Sequence, residues 1–132
     1  MEKENPRRLT PLEAMIMDVL WEQAPASVKQ VQQALHQKKE MAYNTVLTMM
    51  RILRDKGFLS SRREGRTDFY SPTVSRQQVG RRSLGEVVEL FFSGSAGRLV
   101  SNLLDEEELS PEEMKEIRRA INRKLKGGTD NG

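Results

Sequence analysis

The stretch NTVLTMMRILRDKGFLSSRREGRTDFYSP, residues 44–72, decides the fold of this chain. Apolar residues in its first half recur at helical spacing, and Gly57 stands where a helix commonly ends in a left-handed residue. Two strand-like runs then flank Glu64-Gly65, a hairpin signal because glycine accepts a positive φ. The stretch therefore predicts one helix that is followed directly by a small β-hairpin.

Helices are also predicted on both sides of this stretch. Three of them begin with a hydroxyl residue that is followed three positions later by Glu or Gln, which is the spacing of a capping box. These pairs are Thr10 with Glu13, Ser27 with Gln30, and Ser110 with Glu113. The resulting order is three helices, a hairpin and three further helices, and its first part is typical of a winged helix-turn-helix.

We predict a mainly α fold with a small β-hairpin, in which a winged helix-turn-helix domain precedes a C-terminal helical dimerisation region. The last three helices are short and amphipathic, and only 36% of the chain is hydrophobic, so a second copy is expected to cover their apolar faces. The predicted regions are a flexible N-terminus at 1–9, a winged-helix DNA-binding domain at 10–82, a helical dimerisation domain at 83–126 and a flexible tail at 127–132.

Composition excludes several classes of function. The chain has no cysteine and a single histidine, His36, so no metal site built from these residues is expected. The motifs of serine hydrolases, P-loop nucleotidases and zinc peptidases are missing, and we expect neither an enzyme nor a bound cofactor. No apolar run has the length of a membrane span, and no secretory signal opens the chain, so we expect a cytoplasmic protein without membrane insertion.

Charge is distributed unevenly along the chain. Residues 1–82 hold 15 Lys and Arg against 9 Asp and Glu, whereas residues 83–132 hold 7 against 10. This asymmetry indicates a polyanionic partner for the N-terminal part. Recognition helices read bases near their N-termini and guanidinium groups bind phosphates, so we predict contacts to double-stranded DNA from the third helix and the hairpin. The predicted DNA-binding residues are Tyr43, Asn44, Thr45, Thr48, Arg51, Arg62, Arg63 and Arg66.

The C-terminal helices carry apolar stripes with spacings of three and four residues, opposite charged faces. Such a stripe needs a partner surface, and a second copy of the chain supplies one in a homodimer. The predicted interface residues are Leu84, Val88, Phe91, Leu99, Val100, Leu103, Leu104, Met114, Ile117 and Ile121.

Two other functions fit the same patterns. A winged-helix domain can act as a protein-interaction module, whose basic face would meet an acidic protein rather than DNA. This alternative predicts no sequence-specific binding to a duplex. A repressor could also bind a small-molecule effector between the C-terminal helices, which would require a cavity with converging polar groups.

The chain resembles the penicillinase-repressor family, which includes the methicillin-resistance repressors and the copper-responsive repressors. The resemblance is carried by LTPLEAMIMDVLW at 9–21, by the stretch at 44–72, and by GSAGRLVSNLLDEEELSPEEMKEIRRAI at 94–121. It implies a homodimeric winged-helix repressor that binds a palindromic operator through its third helix and its wing. Copper sensing through a C-terminal cysteine pair is not expected, since the chain has no cysteine.

The resemblance also implies a route to inactivation. In the β-lactam-responsive members, a membrane sensor triggers proteolysis after an asparagine in the dimerisation region, and the matching bond here is Asn102–Leu103. The implied partner is a sensor-linked protease, and the implied setting is antibiotic resistance. The chain departs from the family pattern at Leu103, where relatives have Phe, and at Leu47 and Ile52, where they often have polar or basic residues.

Overall fold

The computed structural model describes residues 8–131, with side chains through Gly127. Its helices and its two-stranded antiparallel hairpin follow the predicted order, so the predicted fold class is confirmed. None of the helices in this part of the chain is long and apolar enough to cross a membrane. The elements are α1 (Pro11–Gln23), α2 (Val28–Leu35), α3 (Tyr43–Asp55), β1 (Leu59–Glu64), β2 (Thr67–Pro72), α4 (Arg76–Phe91), α5 (Ala96–Glu106) and α6 (Pro111–Asn131).

The predicted capping boxes are present at three helix starts. At α1, the Thr10 Oγ1 atom accepts a hydrogen bond from the Glu13 N–H at 3.2 Å, and Glu13 Oε1 accepts one from the Thr10 N–H at 2.9 Å. Each cap of this kind stabilises a protein by about 1 kcal/mol. The same reciprocal pairs open α2 and α6, where they join Ser27 to Gln30 and Ser110 to Glu113.

The end of α3 turns the chain into the hairpin. Gly57 has a φ of +93°, a conformation that side chains with a Cβ atom rarely adopt. The Phe58 N–H donates to the Leu53 carbonyl at 2.9 Å, and the Gly57 N–H donates to the Arg54 carbonyl at 3.0 Å. This is the hydrogen-bond pattern of a Schellman motif, which satisfies the last helical carbonyls while β1 begins.

The hairpin β1–β2, here called the wing, pairs Leu59 with Pro72 at its base and Glu64 with Thr67 at its end. The prediction of a turn at Glu64-Gly65 was wrong by one residue, because Glu64 is still paired and the loop consists of Gly65 and Arg66. Gly65 takes a φ of +65° at the first loop position, where type II′ turns place glycine.

A third short segment pairs with the base of the wing. The Ala26 N–H donates to the Tyr70 carbonyl at 3.1 Å, and the Tyr70 N–H donates to the Ala26 carbonyl at 2.9 Å. Ala26 directly precedes the first turn of α2, so this bridge joins the wing to the helix-turn-helix.

One hydrophobic core joins α1, α2, α3 and the base of the wing. Its residues are almost completely excluded from solvent, and burying such a side chain contributes about 1.5–3 kcal/mol. On the inner side of α3, Val46, Met50 and Leu53 are buried, while Met49 is half-buried at the edge. The buried apolar residues are Ile16, Met17, Leu20, Ala26, Val28, Val31, Leu35, Met41, Val46, Met50, Leu53, Phe58, Leu59 and Tyr70.

The start of α4 is attached to α1. The Trp21 Nε1 atom donates to the Val74 carbonyl at 2.9 Å, and the Arg76 guanidinium lies 5.4 Å from the centre of the Trp21 ring. Arg76 also pairs with Asp18 and Glu22 on α1. The first turn of α4 is therefore part of the winged-helix unit.

The chain divides within α4, between Gly85 and Glu86, into two compact units, whereas the predicted boundary lay after residue 82. No described side chain of the second unit is buried. Helix α6 continues past Gly127, where we predicted a flexible tail, to Asn131. Most of the predicted flexible N-terminus, residues 1–7, lies outside the described residues, as does Gly132.

Candidate nucleic-acid interface

Helix α3 presents a polar face to solvent. Its opposite face is held in the core by Val46, Met50 and Leu53. Since these apolar residues recur every three or four positions, they share one side of the helix, and the residues on the opposite side are turned outward. All five of the predicted α3 contacts are exposed, namely Tyr43, Asn44, Thr45, Thr48 and Arg51.

The N-terminus of α3 is open. Its N-cap residue is Ala42, and no side chain caps the helix there. The first N–H groups of a helix have no partner within the helix, and together with the helix dipole they attract anions. Tyr43, Asn44 and Thr45 lie in this first turn, so their side chains stand beside N–H groups that suit a phosphate or a base acceptor.

The wing holds its three predicted arginines in different surroundings. Arg62 is paired with Glu64 on the same strand. Arg63 lies opposite Asp68 in the strand register, and its Nε and Nη2 atoms donate to the Asp68 carboxylate at 3.1 and 3.4 Å. Arg66 occupies the loop. All three arginines are exposed.

A concave surface of about 420 Å³ lies between α3, the wing and the start of α2, and we call it the α3–wing groove. It brings together four of the eight predicted DNA-binding residues, Tyr43, Arg51, Arg63 and Arg66. The other four lie outside the lining of the groove, with Asn44, Thr45 and Thr48 on exposed α3 and Arg62 on β1. The groove is lined by Ser27, Val28, Lys29, Tyr43, Leu47, Arg51, Arg63, Arg66, Thr67, Asp68 and Tyr70.

The sequence interpretation missed the contribution of α2 to this groove. Ser27 and Lys29 lie at the first turn of α2, far from α3 in the chain, yet both line the same surface as Arg51. The Ser27 capping box was visible in the sequence and was interpreted only as a helix start. Because helix N-termini bind anions, the same motif followed by a lysine was a usable signal for a phosphate contact.

Asp68 was also missed, and it shapes the electrostatics of the groove. The hydrogen bond from Arg63 holds the pKa of the Asp68 carboxyl below its usual value; partial burial opposes this shift, and the charges of Arg63, Arg51 and Arg54 add to it. The same hydrogen bond raises the pKa of Arg63. Asp68 is therefore ionised at neutral pH and paired with Arg63.

The groove offers cations, hydroxyl groups and an open helix end, a set of groups suited to holding a polyanion. Leu47, one of the departures from the family pattern, contributes an apolar patch to its floor and is half-buried. Within residues 8–131, no group of three or more His, Cys, Asp or Glu residues could hold a metal ion.

The predicted dimer-interface residues all lie on α4, α5 and α6, and none is buried. Phe91 is 74% exposed and Leu84 is 52% exposed. Val88, Leu99 and Ile117 are half-buried. Two further apolar residues, Leu90 and Leu125, are exposed on α4 and α6 and were absent from the predicted set.

The bond between Asn102 and Leu103 lies inside α5, within the helical segment Ala96–Glu106. Both residues are exposed, and Leu103 is 45% exposed. The carbonyl of Leu103 accepts the N–H of Glu107 at 3.0 Å, a contact of the last helical turn.

Three packed helices followed by a two-stranded wing define a winged helix-turn-helix protein. The family model described as "Penicillinase repressor" matches residues 9–123, which is most of the chain. The chain therefore belongs to the penicillinase repressor family, as the resemblance in its sequence predicted. The members of this family are transcriptional repressors and not enzymes.

Sequence similarity to known relatives extends over most of the chain. The transcriptional regulator BlaI of Mycobacterium tuberculosis is 30% identical over 116 residues, which cover 86% of this chain and 83% of the relative. The penicillinase repressor of Bacillus licheniformis is 26% identical over 110 residues, covering 83% and 86%. The methicillin resistance regulatory protein MecI of Staphylococcus aureus is 23% identical over 109 residues, covering 83% and 89%.

A solved structure matches about half of the chain. The solution structure of the DNA-binding domain of the repressor BlaI covers 56% of this chain and 90% of that domain, with 24% identity and a TM-score of 0.50. This likeness concerns the fold, and it agrees with the winged helix described above.

Proposed function

We propose that this protein represses transcription by binding a palindromic DNA operator as a homodimer. The observation that carries the proposal is the α3–wing groove, in which Lys29, Arg51, Arg63 and Arg66 come from three elements to line one concave surface. Names such as penicillinase repressor and DNA-binding domain of a repressor, given to relatives, support the same function.

Each protomer would place α3 in the major groove of one half-site. Asn44 can pair with adenine through two hydrogen bonds, and Thr45 or Thr48 can contact bases or the methyl group of thymine. Arg51 can bind guanine or a phosphate. Arg63 and Arg66 on the wing, and Lys29 beside the start of α2, would hold the flanking phosphates and set the position of α3.

Dimerisation would join two such units through the C-terminal helices. The exposed apolar side chains from Leu84 to Ile121 support this proposal, since monomeric proteins rarely leave so many large apolar residues in water. The two half-sites would then lie about 34–36 Å apart along the DNA, or a multiple of that spacing. Because each half-site interaction is weak and salt-sensitive, loss of the dimer would end repression.

Hydrolysis of the Asn102–Leu103 bond is the proposed route to induction. The bond is exposed but helical, so a sensor-linked protease would have to unwind part of α5 before cleavage. Cleavage would separate the DNA-binding unit from Leu103 and Leu104 and from the apolar residues of α6, which are Met114, Ile117 and Ile121. The operator would then be released by mass action. The relatives named for penicillinase and methicillin resistance support β-lactams as the inducing signal.

The experiment that tests DNA binding is selection of genomic DNA fragments in vitro at low and high salt, followed by sequencing. A palindromic motif that persists at high salt is the expected result. Enrichment without a motif that disappears at high salt would overturn the proposal, because phosphate attraction alone behaves in this way. The protein-interaction module would then be the better account of the basic groove.

Proteolysis has its own test. Mass spectrometry of the protein from cells exposed to a β-lactam should detect a fragment that ends at Asn102. Substitution Asn102→Ala should prevent the fragment and keep the regulated promoter silent. An intact chain under conditions that induce the promoter would show that induction uses another route, such as a small-molecule effector.

A further inference from the structure

Asp68 is the one carboxylate among the described residues that line the α3–wing groove, and four of the other lining residues are cations. A surface that needed only to attract DNA would gain from a neutral residue at this position, since a carboxylate repels phosphate and offsets the charge of a neighbouring cation. The place of Asp68 therefore calls for a role other than attraction.

The geometry gives Asp68 a specific partner. It lies directly opposite Arg63 in the β1–β2 register, and two nitrogens of the Arg63 guanidinium reach its two carboxylate oxygens at 3.1 and 3.4 Å. Paired contacts of this kind fix the plane of the guanidinium as well as its position. The Asp68 side chain is 31% exposed and that of Arg63 is 66% exposed, so the arginine remains accessible to DNA while the carboxylate holds it.

The neighbouring pair on the same strand provides a contrast. Glu64 pairs with Arg62, and neither residue lines the groove. The wing thus carries two arginine–carboxylate pairs with similar chemistry, one in the groove beside α3 and one outside it.

We propose that Asp68 is a positioning residue that holds Arg63 in the α3–wing groove and thereby increases the discrimination between operator and other DNA. The inference rests on the proposed function. Two effects of Asp68 combine in it. Its negative charge weakens attraction to any duplex. The fixed orientation of Arg63 stabilises only a complex in which α3 and the wing are both aligned with the operator.

The test compares Asp68→Asn with the matched control Glu64→Gln. The dissociation constant of each full-length protein is measured for a duplex from the genomic selection and for a scrambled duplex of the same length and base composition. Asp68→Asn should bind the scrambled duplex about threefold to tenfold more tightly at low salt, with a steeper salt dependence equivalent to about one further phosphate contact. Its affinity for the selected duplex should change by less than about twofold, because lost orientation offsets gained charge.

Glu64→Gln removes the same charge outside the groove. It should strengthen binding to both duplexes by a similar factor and leave their affinity ratio unchanged, since only attraction is altered. An equal gain in affinity for both duplexes in Asp68→Asn would show that Asp68 acts only through its charge, and it would overturn the inference. An unchanged affinity for the scrambled duplex would also overturn it, because the charge of Asp68 would then have no effect on attraction to DNA in general.

The role of Arg63 is tested by repeating Asp68→Asn in an Arg63→Ala background. If Asp68 acts through Arg63, the substitution should no longer change the affinity ratio there. An unchanged effect in that background would contradict the proposed pair. If the wild-type protein does not discriminate between the two duplexes, both the proposed function and this inference are wrong. If the wild-type protein discriminates and Asp68→Asn leaves the ratio of the two affinities unchanged, only the inference is wrong.

Discussion

The two units of the chain differ in whether their apolar residues are buried. In the first unit, helices from different parts of the sequence close over a core in which Ile16, Met17 and Leu20 are fully buried. In the second unit, the helices are equally amphipathic, but Leu90 is 65% exposed and Phe91 is 74% exposed. An amphipathic pattern therefore predicts a buried face without specifying which molecule covers it.

The largest expected effect lies in the closed core. Leu20→Ala should lower the free energy of unfolding of the first unit by about 2–5 kcal/mol, since it removes fully buried methyl groups and leaves a cavity. Denaturant unfolding followed by Trp21 fluorescence measures this directly, because Trp21 is the one tryptophan of the chain and lies on α1. Leu90→Ala is the control, and it should change that value by less than about 0.5 kcal/mol.

The exposed apolar residues of α4, α5 and α6 should be sensitive to an added charge, which would weaken dimerisation, rather than to a loss of side-chain volume. Leu103→Asp should raise the dimer dissociation constant by at least about 30-fold, equivalent to about 2 kcal/mol, because the interface would bury an unpaired carboxylate. Analytical ultracentrifugation measures the change. Ser101→Asp places the same charge at another exposed position of α5 and should have little effect. If Ser101→Asp dissociates the dimer and Leu103→Asp does not, the face assigned to the interface is wrong.

Exposed arginines of the two units should differ in their effect on DNA binding. Arg51→Ala should weaken binding to the selected duplex by about 1–3 kcal/mol, since Arg51 lines the α3–wing groove. Arg123→Ala removes an exposed arginine from α6 and should leave the affinity nearly unchanged. Fluorescence anisotropy at a fixed salt concentration provides both values. Equal losses would indicate that net charge, and not the groove, determines binding.

The smallest effects concern the caps. Ser27→Ala and Ser110→Ala each break one capping box, and each should cost about 1 kcal/mol. The loss from Ser27→Ala should appear in the unfolding of the first unit at every protein concentration. The loss from Ser110→Ala should appear in the dimerisation equilibrium, because in the proposed dimer α6 is stabilised by the partner. A concentration-independent effect of Ser110→Ala on the Trp21 signal would contradict this division.

Sequence patterns predicted the elements well and their assembly less well. The capping boxes, the Gly57 helix end and the hairpin were all recognised, since each depends on residues three to six positions apart. The turn was misplaced by one residue because both Glu64-Gly65 and Gly65-Arg66 put the glycine in a two-residue loop, and strand pairing decides between them. The exposed face of α3 followed from its apolar period, so its predicted contacts were found exposed.

The groove residues that the sequence did not predict are those whose position depends on contacts between distant parts of the chain. Lys29 joins Arg51 and Arg63 in one surface only because α2 packs on α3 and the wing pairs with Ala26. The partnership of Arg63 with Asp68 depends on the strand register, which places them opposite each other although each has other charged neighbours in sequence. Pattern alone identified a basic hairpin, but not which two of its three predicted arginines line the groove.

By itself, the sequence determined the order of the elements, their caps and the apolar faces, because these follow from hydrogen bonds and side-chain periods within one or two helical turns. Tertiary structure alone decided which side chains share a surface. The Trp21 indole meets the Val74 carbonyl across 53 positions, and Ser27 lines a groove with Arg66. Such contacts are set by how the core of Val31, Met50 and Tyr70 packs, and packing depends on the shapes of all the elements together.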